Sequence, residues 1–431
     1  MSKRREPGRS AWSVARGTVD RAIIHCSGQA EARSSRLRQI AGIGVLVLGL
    51  AIHSVEARTP DGGGRAPLFP SDEISAEQRA RIDAELAANV AELERQGKII
   101  RTPALLAPLQ GGLQWPLRSV SGYGDPGYHG ISNFVDLNPA FPNQLLDWNC
   151  GARSYDLADG YNHAGIDFFL WPFPWNMMDQ QQVDIVAAAP GTIIGKQDGF
   201  DDRSCPNNYS DDWNAVYIQH ADGTVAWYGH MKKLSQTAKP VGATVAAGEF
   251  LGKVGSSGFS SGPHLHFENH SALTGYTILE PYQGACQVSA SLWAQQSPHY
   301  DSAINKISTH SAPPEYHGTN CPNPIDETPN LADNFLAGST PYFVAYYRDQ
   351  RAAQLTAFQI LRPDNSAFQS WNFRMSDATS DPYYSASYWY WSWTLPGNAP
   401  AGTWHFRATY EGTTYNHDFF VGDVIFASSF D

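Results

Sequence analysis

Between Leu113 and Glu280 the sequence consists of a series of short apolar runs separated by turns. The segment "NAVYIQHADGTVAWYGH" (214–230) contains two such runs joined by Asp222-Gly223, a dipeptide that favours a tight β-hairpin turn. Segments 183–196 and 241–258 repeat the pattern. Because runs this short are typical of strands rather than helices, we predict a mainly β region with little helix.

One of these runs, "PHLHFE" (263–268), contains two histidines separated by a single residue. In a strand, His264 and His266 would point to one face of the sheet and Leu265 to the other. Two unpaired imidazoles buried side by side would cost free energy. This face of the strand therefore needs a polar or metal partner.

Two further segments contain groups of the same kind. "NHAGIDF" provides His163 and Asp167, and "WYGHM" places His230 at the end of a strand. Neutral imidazoles and a carboxylate suit Zn²⁺, and a hydrolytic zinc site uses three protein ligands with the fourth position open. Two additional histidines beside such a site could transfer protons.

Two other hydrolytic motifs fit the sequence poorly. "HFENH" spaces His266 and His270 as in a zincin helix, but Phe267 stands where the glutamate should follow. G-x-S-x-G occurs once, as "GFSSG" around Ser260, and it is followed by Pro263 and a strand-like run. A serine nucleophile in this motif needs a helix there, so we interpret the segment as a loop.

In order and character, "NHAGIDF", "YGHM" and "GSSGFSSGPHLHFE" resemble the motifs of the lysostaphin/LytM-type zinc endopeptidases, over about residues 160–270. "VAAAPGTI" resembles the strand that follows the first motif in that family. The resemblance implies an antiparallel β-sheet groove with a duplicated hybrid motif. It also implies a zinc metalloendopeptidase that cuts peptide bonds in bacterial peptidoglycan.

By the same resemblance, the Zn²⁺ ligands are His163, Asp167 and His266. His230 and His264 correspond to the catalytic histidines of the family, and the division of labour between them stays open. All five positions are present, which disfavours a degenerate relative that lacks zinc ligands.

The chain departs from the family in segments 171–182 and 198–213. We expect both to form walls of the groove, so the bond that is cleaved stays open. Glu268 and His220 lie beside the motifs, and we interpret both as structural. Strand alternation allows Glu268 on the metal side, but an open tetrahedral site has no place for a fourth protein ligand.

The first 57 residues differ in composition from the rest. A basic segment precedes the apolar run Ile40–Ile52, and Val55-Glu56-Ala57 offers a small-residue cleavage site. This is the pattern of a signal peptide, and the run is shorter than the roughly 20 residues that a bilayer span needs. We predict a secreted or periplasmic protein, cleaved after Ala57, with no stable membrane insertion afterwards. A short retained anchor is the alternative.

Four of the five cysteines lie downstream of that cleavage site. An even number in an exported chain indicates two disulfides, for which three pairings are possible. We favour Cys150–Cys205 and Cys286–Cys321, because each pair brackets one loop-rich stretch. A zinc site of four thiolates has no C-x-x-C spacing to support it.

Residues 75–98 predict one amphipathic helix. Ser75 and Gln78 form a capping-box pattern, and Gly97 is a stop. Apolar residues recur on one face at Ile82, Leu86, Val90 and Leu93. Such a stripe needs a partner, which is either the next domain or, if the helix is a pro-segment, the active site that it covers.

Beyond Leu331, at least five aromatic-rich strands separated by turns predict a small β-sandwich. In "YWYWSWTLP", Trp389 and Trp391 alternate with Tyr388 and Tyr390. Alternation of this kind favours a tryptophan-filled core with tyrosines at the surface. A tyrosine platform for stacking on sugar or peptide is the alternative.

The predicted organisation is a signal peptide (1–57), a linker with a helical segment (58–112), the zinc endopeptidase domain (113–330), a β-sandwich accessory domain (331–422) and a tail (423–431). The formal net charge of −12 argues against nucleic acid as a partner, because phosphate binding needs a basic surface. The predicted partners are peptidoglycan peptides, and the sequence defines no oligomeric state. Two other classes stay open: a wall-binding protein with a structural metal, and a zinc D,D- or L,D-peptidase of another fold.

Overall fold

The computed structural model describes residues 56–66, 73–99, 112–203, 212–316 and 327–422. The described part is mainly β, as predicted, with one long helix near its N-terminal end. In the ranges described, no helix combines the length and apolarity that crossing a membrane requires. The apolar run Ile40–Ile52, the predicted tail, Cys205 and Cys321 lie outside the described residues.

The N-terminal part contains one short strand and the long helix, β1 (Gly62–Arg65) and α1 (Ala76–Arg95). As predicted, α1 begins after Ser75, whose hydroxyl accepts a hydrogen bond of 3.1 Å from the backbone N–H of Gln78. The predicted apolar stripe is its buried side, formed by Ile82, Leu86, Val90 and Leu93.

The region that contains the predicted site, residues 117–270, is called here the histidine-rich region. Its described residues form short strands and one short helix. Its elements are β2 (Leu117–Ser119), β3 (His129–Asn133), β4 (Ile166–Leu170), α2 (Pro174–Asp179), β5 (Val183–Val186), β6 (Gly191–Gln197), β7 (Ala215–Gln219), β8 (Val225–Gly229), β9 (Thr244–Val245), β10 (Phe250–Lys253) and β11 (His264–His270). The main sheet has the order β3-β4-β11-β8-β7-β6-β9, and a smaller sheet has the order β10-β5-β2. All neighbouring strands in both sheets are antiparallel.

The two faces of the main sheet are covered by different elements. On one face, Phe168 and Leu265 belong to the same buried cluster as Ile185 of the smaller sheet. On the other face, the apolar stripe of α1 packs with Tyr217 and Trp227. The helix therefore packs on the sheet itself, on the face opposite to Leu265.

In the C-terminal region (residues 303–422), the described residues form strands and one 3₁₀ turn, Met375–Asp377. Its strands are β12 (Ala303–His310), β13 (Glu315–Tyr316), β14 (Glu327–Thr328), β15 (Asn334–Phe335), β16 (Tyr342–Arg351), β17 (Leu355–Leu361), β18 (Ala367–Arg374), β19 (Tyr383–Ser392), β20 (Gly402–Tyr410) and β21 (Thr413–Val421). One sheet has the order β1-β19-β16-β12 and another the order β15-β21-β20-β17-β18. Their aromatic side chains share one buried cluster, to which Phe343 and Trp391 contribute from the first sheet and Trp371 and Phe406 from the second.

Two strands of the first of these sheets come from outside residues 331–422. β12 pairs with β16, and β1 pairs with β19 at the sheet edge. Residues 62–65 lie in the segment that was predicted to be a linker, but they form this edge strand. This strand needs glycine because the two backbones approach closely. A Cβ on Gly63 would lie 2.2 Å from the carbonyl oxygen of Tyr388.

The tryptophans and tyrosines of β19 lie on opposite faces, as predicted. Trp389 and Trp391 are buried in the core shared by the two C-terminal sheets. Tyr388 and Tyr390 are half-buried and pack against a cluster that includes Trp171 of the histidine-rich region. The tyrosine face of β19 thus packs against other parts of the same chain. This packing gives no support to the alternative of a tyrosine platform that stacks on sugar or peptide.

The segment 171–182, which was expected to form a wall of the groove, packs on the C-terminal sheet through its aromatic residues. Trp171 and Phe173 are buried, and both rings stack on Tyr316. Their rings also contact Tyr346 of β16 edge-on. The insertion is aromatic because it supplies a packing surface between the histidine-rich region and the C-terminal sheet.

The predicted disulfide pairing is wrong. Cys150 is bonded to Cys286, with their Cα atoms 5.1 Å apart, so neither Cys150–Cys205 nor Cys286–Cys321 can form. The two loops meet because Trp148 stacks on Tyr282 and its carbonyl accepts a hydrogen bond from the backbone N–H of Cys286. Proximity in sequence was a poor guide, since 136 positions separate the bonded cysteines.

Removing this disulfide should destabilise the protein measurably. The bond closes a long loop, so the double variant Cys150→Ser/Cys286→Ser should lose about 2–4 kcal/mol of unfolding free energy in chemical denaturation. Non-reducing peptide mapping of the unmodified protein should yield a peptide pair linked through Cys150 and Cys286. A pair linked through Cys150 and Cys205 would contradict the structure.

Candidate active site

The predicted metal ligands lie together because of the register between two strands. His266 of β11 stands directly opposite Asp167 of β4, and His163 lies four residues before Asp167. Asp167 Oδ1 lies 3.1 Å from His163 Nε2 and 3.0 Å from His266 Nδ1. The two ring nitrogens are 3.3 Å apart, and all three side chains are fully buried.

The glycine between His163 and Asp167 is required by this packing. A Cβ on Gly165 would lie 2.6 Å from Nε2 of His266, closer than any side chain tolerates. The ligand atoms of His163, Asp167 and His266 all lie within 4.8 Å of one another. Two imidazole nitrogens and one carboxylate oxygen form a donor set that suits Zn²⁺ in a hydrolytic site.

The two predicted catalytic histidines lie beside this cluster. His264 shares the strand face of His266, and its Nε2 lies 3.7 Å from Asp167 Oδ1. His230 follows the last residue of β8, and the centre of its ring lies 4.4 Å from that of His264 and 6.0 Å from that of His266. His230 has a φ of +54°, a left-handed conformation that costs a non-glycine residue roughly 1–2 kcal/mol. Strain of this kind is concentrated at functional sites.

Backbone carbonyl groups fix the orientation of three of the rings. Nδ1 of His163 lies 2.7 Å from the carbonyl oxygen of Phe134, and Nδ1 of His230 lies 2.6 Å from that of Ser257. Nδ1 of His264 lies 2.8 Å from the carbonyl oxygen of Gly262. A carbonyl can only accept, so each Nδ1 carries the hydrogen and Nε2 is the nitrogen left for chemistry.

His266 has the reverse arrangement. Its Nδ1 faces Asp167, while its Nε2 lies 2.9 Å from Glu268 Oε1. The carboxylate accepts the Nε2 hydrogen, so Nδ1 is the nitrogen available to a metal. Glu268 is therefore on the metal side of β11 but bonds a ligand rather than acting as one.

Glu268 is fully buried and has further partners. Arg79 of α1 donates to both of its oxygens at 2.8 Å, and Nε2 of His270 lies 2.6 Å from Oε2. Burial alone would raise the pKa of Glu268, but the charge and hydrogen bonds of Arg79 hold that pKa well below its usual range. The carboxylate is thus charged beside His266.

Asn133 of β3 completes the surroundings of Asp167. The Nδ2 of Asn133 donates a hydrogen bond to Asp167 Oδ2 at 2.9 Å, while Asp167 Oδ1 faces the histidines. Sequence analysis missed Asn133 and Arg79, since neither belongs to a motif. The pairing of β3 with β4 could have indicated Asn133, whereas Arg79 lies 189 positions from Glu268 and leaves no pattern in the sequence.

His220 and Ser260 have the structural surroundings that the sequence suggested. Nδ1 of His220 lies 2.8 Å from the carbonyl oxygen of Pro190, and burial lowers the pKa of this imidazole. Ser260 lies in a loop, where its hydroxyl donates to the carbonyl oxygen of Gly262 at 3.0 Å. No helix follows Ser260, so the geometry of a serine nucleophile is absent from this described segment.

Comparison with known proteins shows what this region is similar to. The model of peptidase family M23 matches residues 162–276. A DD-carboxypeptidase/endopeptidase, Mpg, of Neisseria meningitidis serogroup B is 29% identical over 150 residues, which cover 34% of this chain and 29% of that protein. The peptidoglycan DD-endopeptidase ShyC of Vibrio cholerae is 31% identical over 100 residues, which cover 23% of this chain and 22% of that protein.

Among solved structures, the catalytic domain of the antimicrobial peptidase lysostaphin from Staphylococcus simulans is 27% identical, with a TM-score of 0.20. The match covers 29% of this chain and 82% of that one. This chain spans less than a third of the length of the two curated relatives named above. The segment matched by the family model contains the three clustered residues and both neighbouring histidines. Residues 162–276 therefore match peptidase family M23 in sequence, and this matched segment contains the candidate metal site of His163, Asp167 and His266.

Proposed function

We propose that the protein is an exported zinc metalloendopeptidase that hydrolyses peptide bonds in the stem or cross-link peptides of bacterial peptidoglycan. The observation that carries the proposal is the buried cluster of two imidazoles and one carboxylate with two further histidines beside it. The names of the relatives, a carboxypeptidase/endopeptidase and a peptidoglycan endopeptidase, support peptidoglycan peptides as the substrate class. The match of residues 162–276 to the model of peptidase family M23 favours this proposal over a peptidase of another fold.

His163, Asp167 and His266 would hold the Zn²⁺ ion. The bound ion would supply Lewis-acid chemistry, which activates water and polarises a peptide carbonyl. Asn133 and Glu268 hold Asp167 and His266 in place through hydrogen bonds of 2.9 Å each. Such outer partners fix the orientation of the ligands and tune their basicity.

His230 and His264 would handle the protons of the reaction. Each has its Nδ1 hydrogen bonded to a backbone carbonyl, so Nε2 is the atom that takes or gives a proton. A neutral Nε2 accepts a proton from the attacking water, and a protonated one stabilises the oxyanion or protonates the leaving amine. Both rings are held in the same way, so both tasks are assigned to the pair.

Two observations support export. The N-terminal sequence has the basic segment, apolar run and cleavage site of a signal peptide, and Cys150 and Cys286 form a disulfide of the kind that persists in oxidising compartments. Cleavage after Ala57 and a secreted or periplasmic location follow from the proposal. The groove-bearing catalytic domain, with its duplicated hybrid motif, was predicted over residues 113–330 and a β-sandwich accessory domain over 331–422. Because β12 (Ala303–His310) pairs with β16 and β1 pairs with β19, we propose that both strands belong to the accessory domain.

Digestion of purified peptidoglycan tests the proposed activity directly. Incubation with sacculi of several cross-link types, followed by mass analysis of the released fragments, should reveal new peptide N termini at one bond type. Stoichiometric zinc without any released fragment would instead identify a wall-binding protein with a structural metal.

The two histidines of "HLH" should have separable roles. His266→Ala should lose zinc and activity together, because two ligands cannot hold an open three-ligand site. His264→Ala should keep zinc and lose about 10²–10⁴-fold in rate, the usual contribution of general acid–base catalysis. The measurements are zinc content after dialysis and turnover of a soluble cross-linked peptide. Loss of zinc in His264→Ala with retention in His266→Ala would reverse the assignment.

Leu265 provides a matched control on the same strand. Its side chain is buried in the core on the opposite face from the two histidines. Leu265→Ala should therefore lower the free energy of unfolding by roughly 2–5 kcal/mol in a denaturation curve. Zinc content and turnover per folded molecule should stay close to those of the unmodified protein, and a selective loss of zinc would count against the assigned faces.

A further inference from the structure

The N-terminal helix contributes one side chain to the surroundings of the candidate metal site. Arg79, in the first turn of α1, donates from both terminal nitrogens to the two oxygens of Glu268, each at 2.8 Å. The side chain of Arg79 is 21% exposed, whereas that of Glu268 is fully buried. This is a bidentate pair, the geometry in which a guanidinium fixes both the position and the plane of a carboxylate.

Glu268 connects Arg79 to a predicted ligand. Oε1 of Glu268 accepts hydrogen bonds from Arg79 and from Nε2 of His266. Oε2 of Glu268 accepts a hydrogen bond from Arg79 and lies 2.6 Å from Nε2 of His270. All of these contacts fall on the face of β11 that carries the histidines. A continuous series of hydrogen bonds therefore runs from the helix through the carboxylate to the imidazole whose Nδ1 faces Asp167.

The helix holds Arg79 in a fixed position. Its apolar stripe packs on the sheet with Trp227, and the guanidinium lies 5.1 Å from the centre of that indole ring. Trp227 is the direct neighbour of Glu268 across the β8–β11 pair. One turn further along α1, Asp83 accepts a hydrogen bond from the hydroxyl of Tyr276.

The charge of Glu268 explains why the guanidinium is needed. A fully buried carboxylate without a cationic partner is unfavourable, and removing one partner of such a pair leaves the other uncompensated. If Arg79 were absent, Glu268 would have to turn toward water. His266 would then lose the acceptor that holds its Nε2 hydrogen and presents its Nδ1 to the metal position.

We propose that Arg79 is a positioning residue for the metal site, acting through Glu268 on His266, and that α1 is an integral part of the active enzyme rather than a removable pro-segment. The inference rests on the proposed function, since it assigns Zn²⁺ to the cluster that contains His266. It decides between the two roles that the amphipathic pattern of residues 75–98 left open.

Zinc affinity, measured by competition with a chromophoric chelator, tests the inference independently of catalysis. Arg79→Ala should weaken zinc binding about 10–100-fold, the usual effect of losing an outer partner of a ligand. The zinc affinity of Arg79→Lys should lie between those of Arg79→Ala and the unmodified protein, because an ammonium keeps the charge but cannot form the bidentate pair. The matched control is Arg81→Ala, since Arg81 lies on the same helix in an exposed ion pair with Asp212. Its zinc affinity should be unchanged.

A double-mutant cycle separates action through Glu268 from a general effect on the fold. Glu268→Gln should weaken zinc binding, and adding Arg79→Ala to it should weaken binding little further, because the pathway is already interrupted. Thermal melting of each metal-free variant identifies those that fold. If Arg79→Ala does not fold, the same comparison is made with Arg79→Lys.

Three outcomes are decisive. A folded Arg79→Ala variant with the zinc affinity of the unmodified protein would overturn the inference, as would full additivity with Glu268→Gln. Neither result would touch the proposed function if the unmodified protein still binds zinc and digests peptidoglycan. Zinc binding that depends on Arg79 in a protein that releases no peptidoglycan fragment would support the inference and overturn the proposed activity.

Discussion

The antiparallel register of β11 against its two neighbours is the constraint on which the site depends. It sets His266 opposite Asp167 on one side and opposite Gly229 on the other. Because side chains alternate along a strand, a slip of one residue would turn the histidines into the apolar core and Leu265 out of it. The register thus fixes the buried polar cluster and the core of the sheet at the same time, and each reinforces the other.

Burying so many polar groups on one sheet face is tolerable only because each is held by a partner. Backbone carbonyl groups orient His163, His230 and His264, while side chains from β3 and α1 hold Asp167 and Glu268. Buried networks of this kind are favourable when every member is satisfied, and they fail when one is removed. The helix and the first strand of the main sheet are therefore part of the site, although they contribute no predicted ligand.

The C-terminal sheets are tied to the histidine-rich region by packing and by charge. Trp171 and Phe173 are buried against the sheet that contains β16, and the buried guanidinium of Arg153 pairs with Asp349 at 2.6 Å. β1 also enters this sheet from the N-terminal part of the chain. The C-terminal region is thus packed onto the region that bears the site, which a chain of separate modules joined by linkers would not show.

Local pattern in the sequence was enough to predict the strands, the helix and the apolar stripe of α1, whereas the set of five site residues was implied by the resemblance of three motifs to a known family. Alternation and short-range spacing carry that information, because they act over a few residues. Contacts between distant segments became visible only in the tertiary structure. They are the Cys150–Cys286 bond, the packing that buries Trp171, and the ion pair of Arg79 with Glu268. These partners are brought together by the packing of whole elements. Their sequence separations carry no period, so no local pattern could have revealed them.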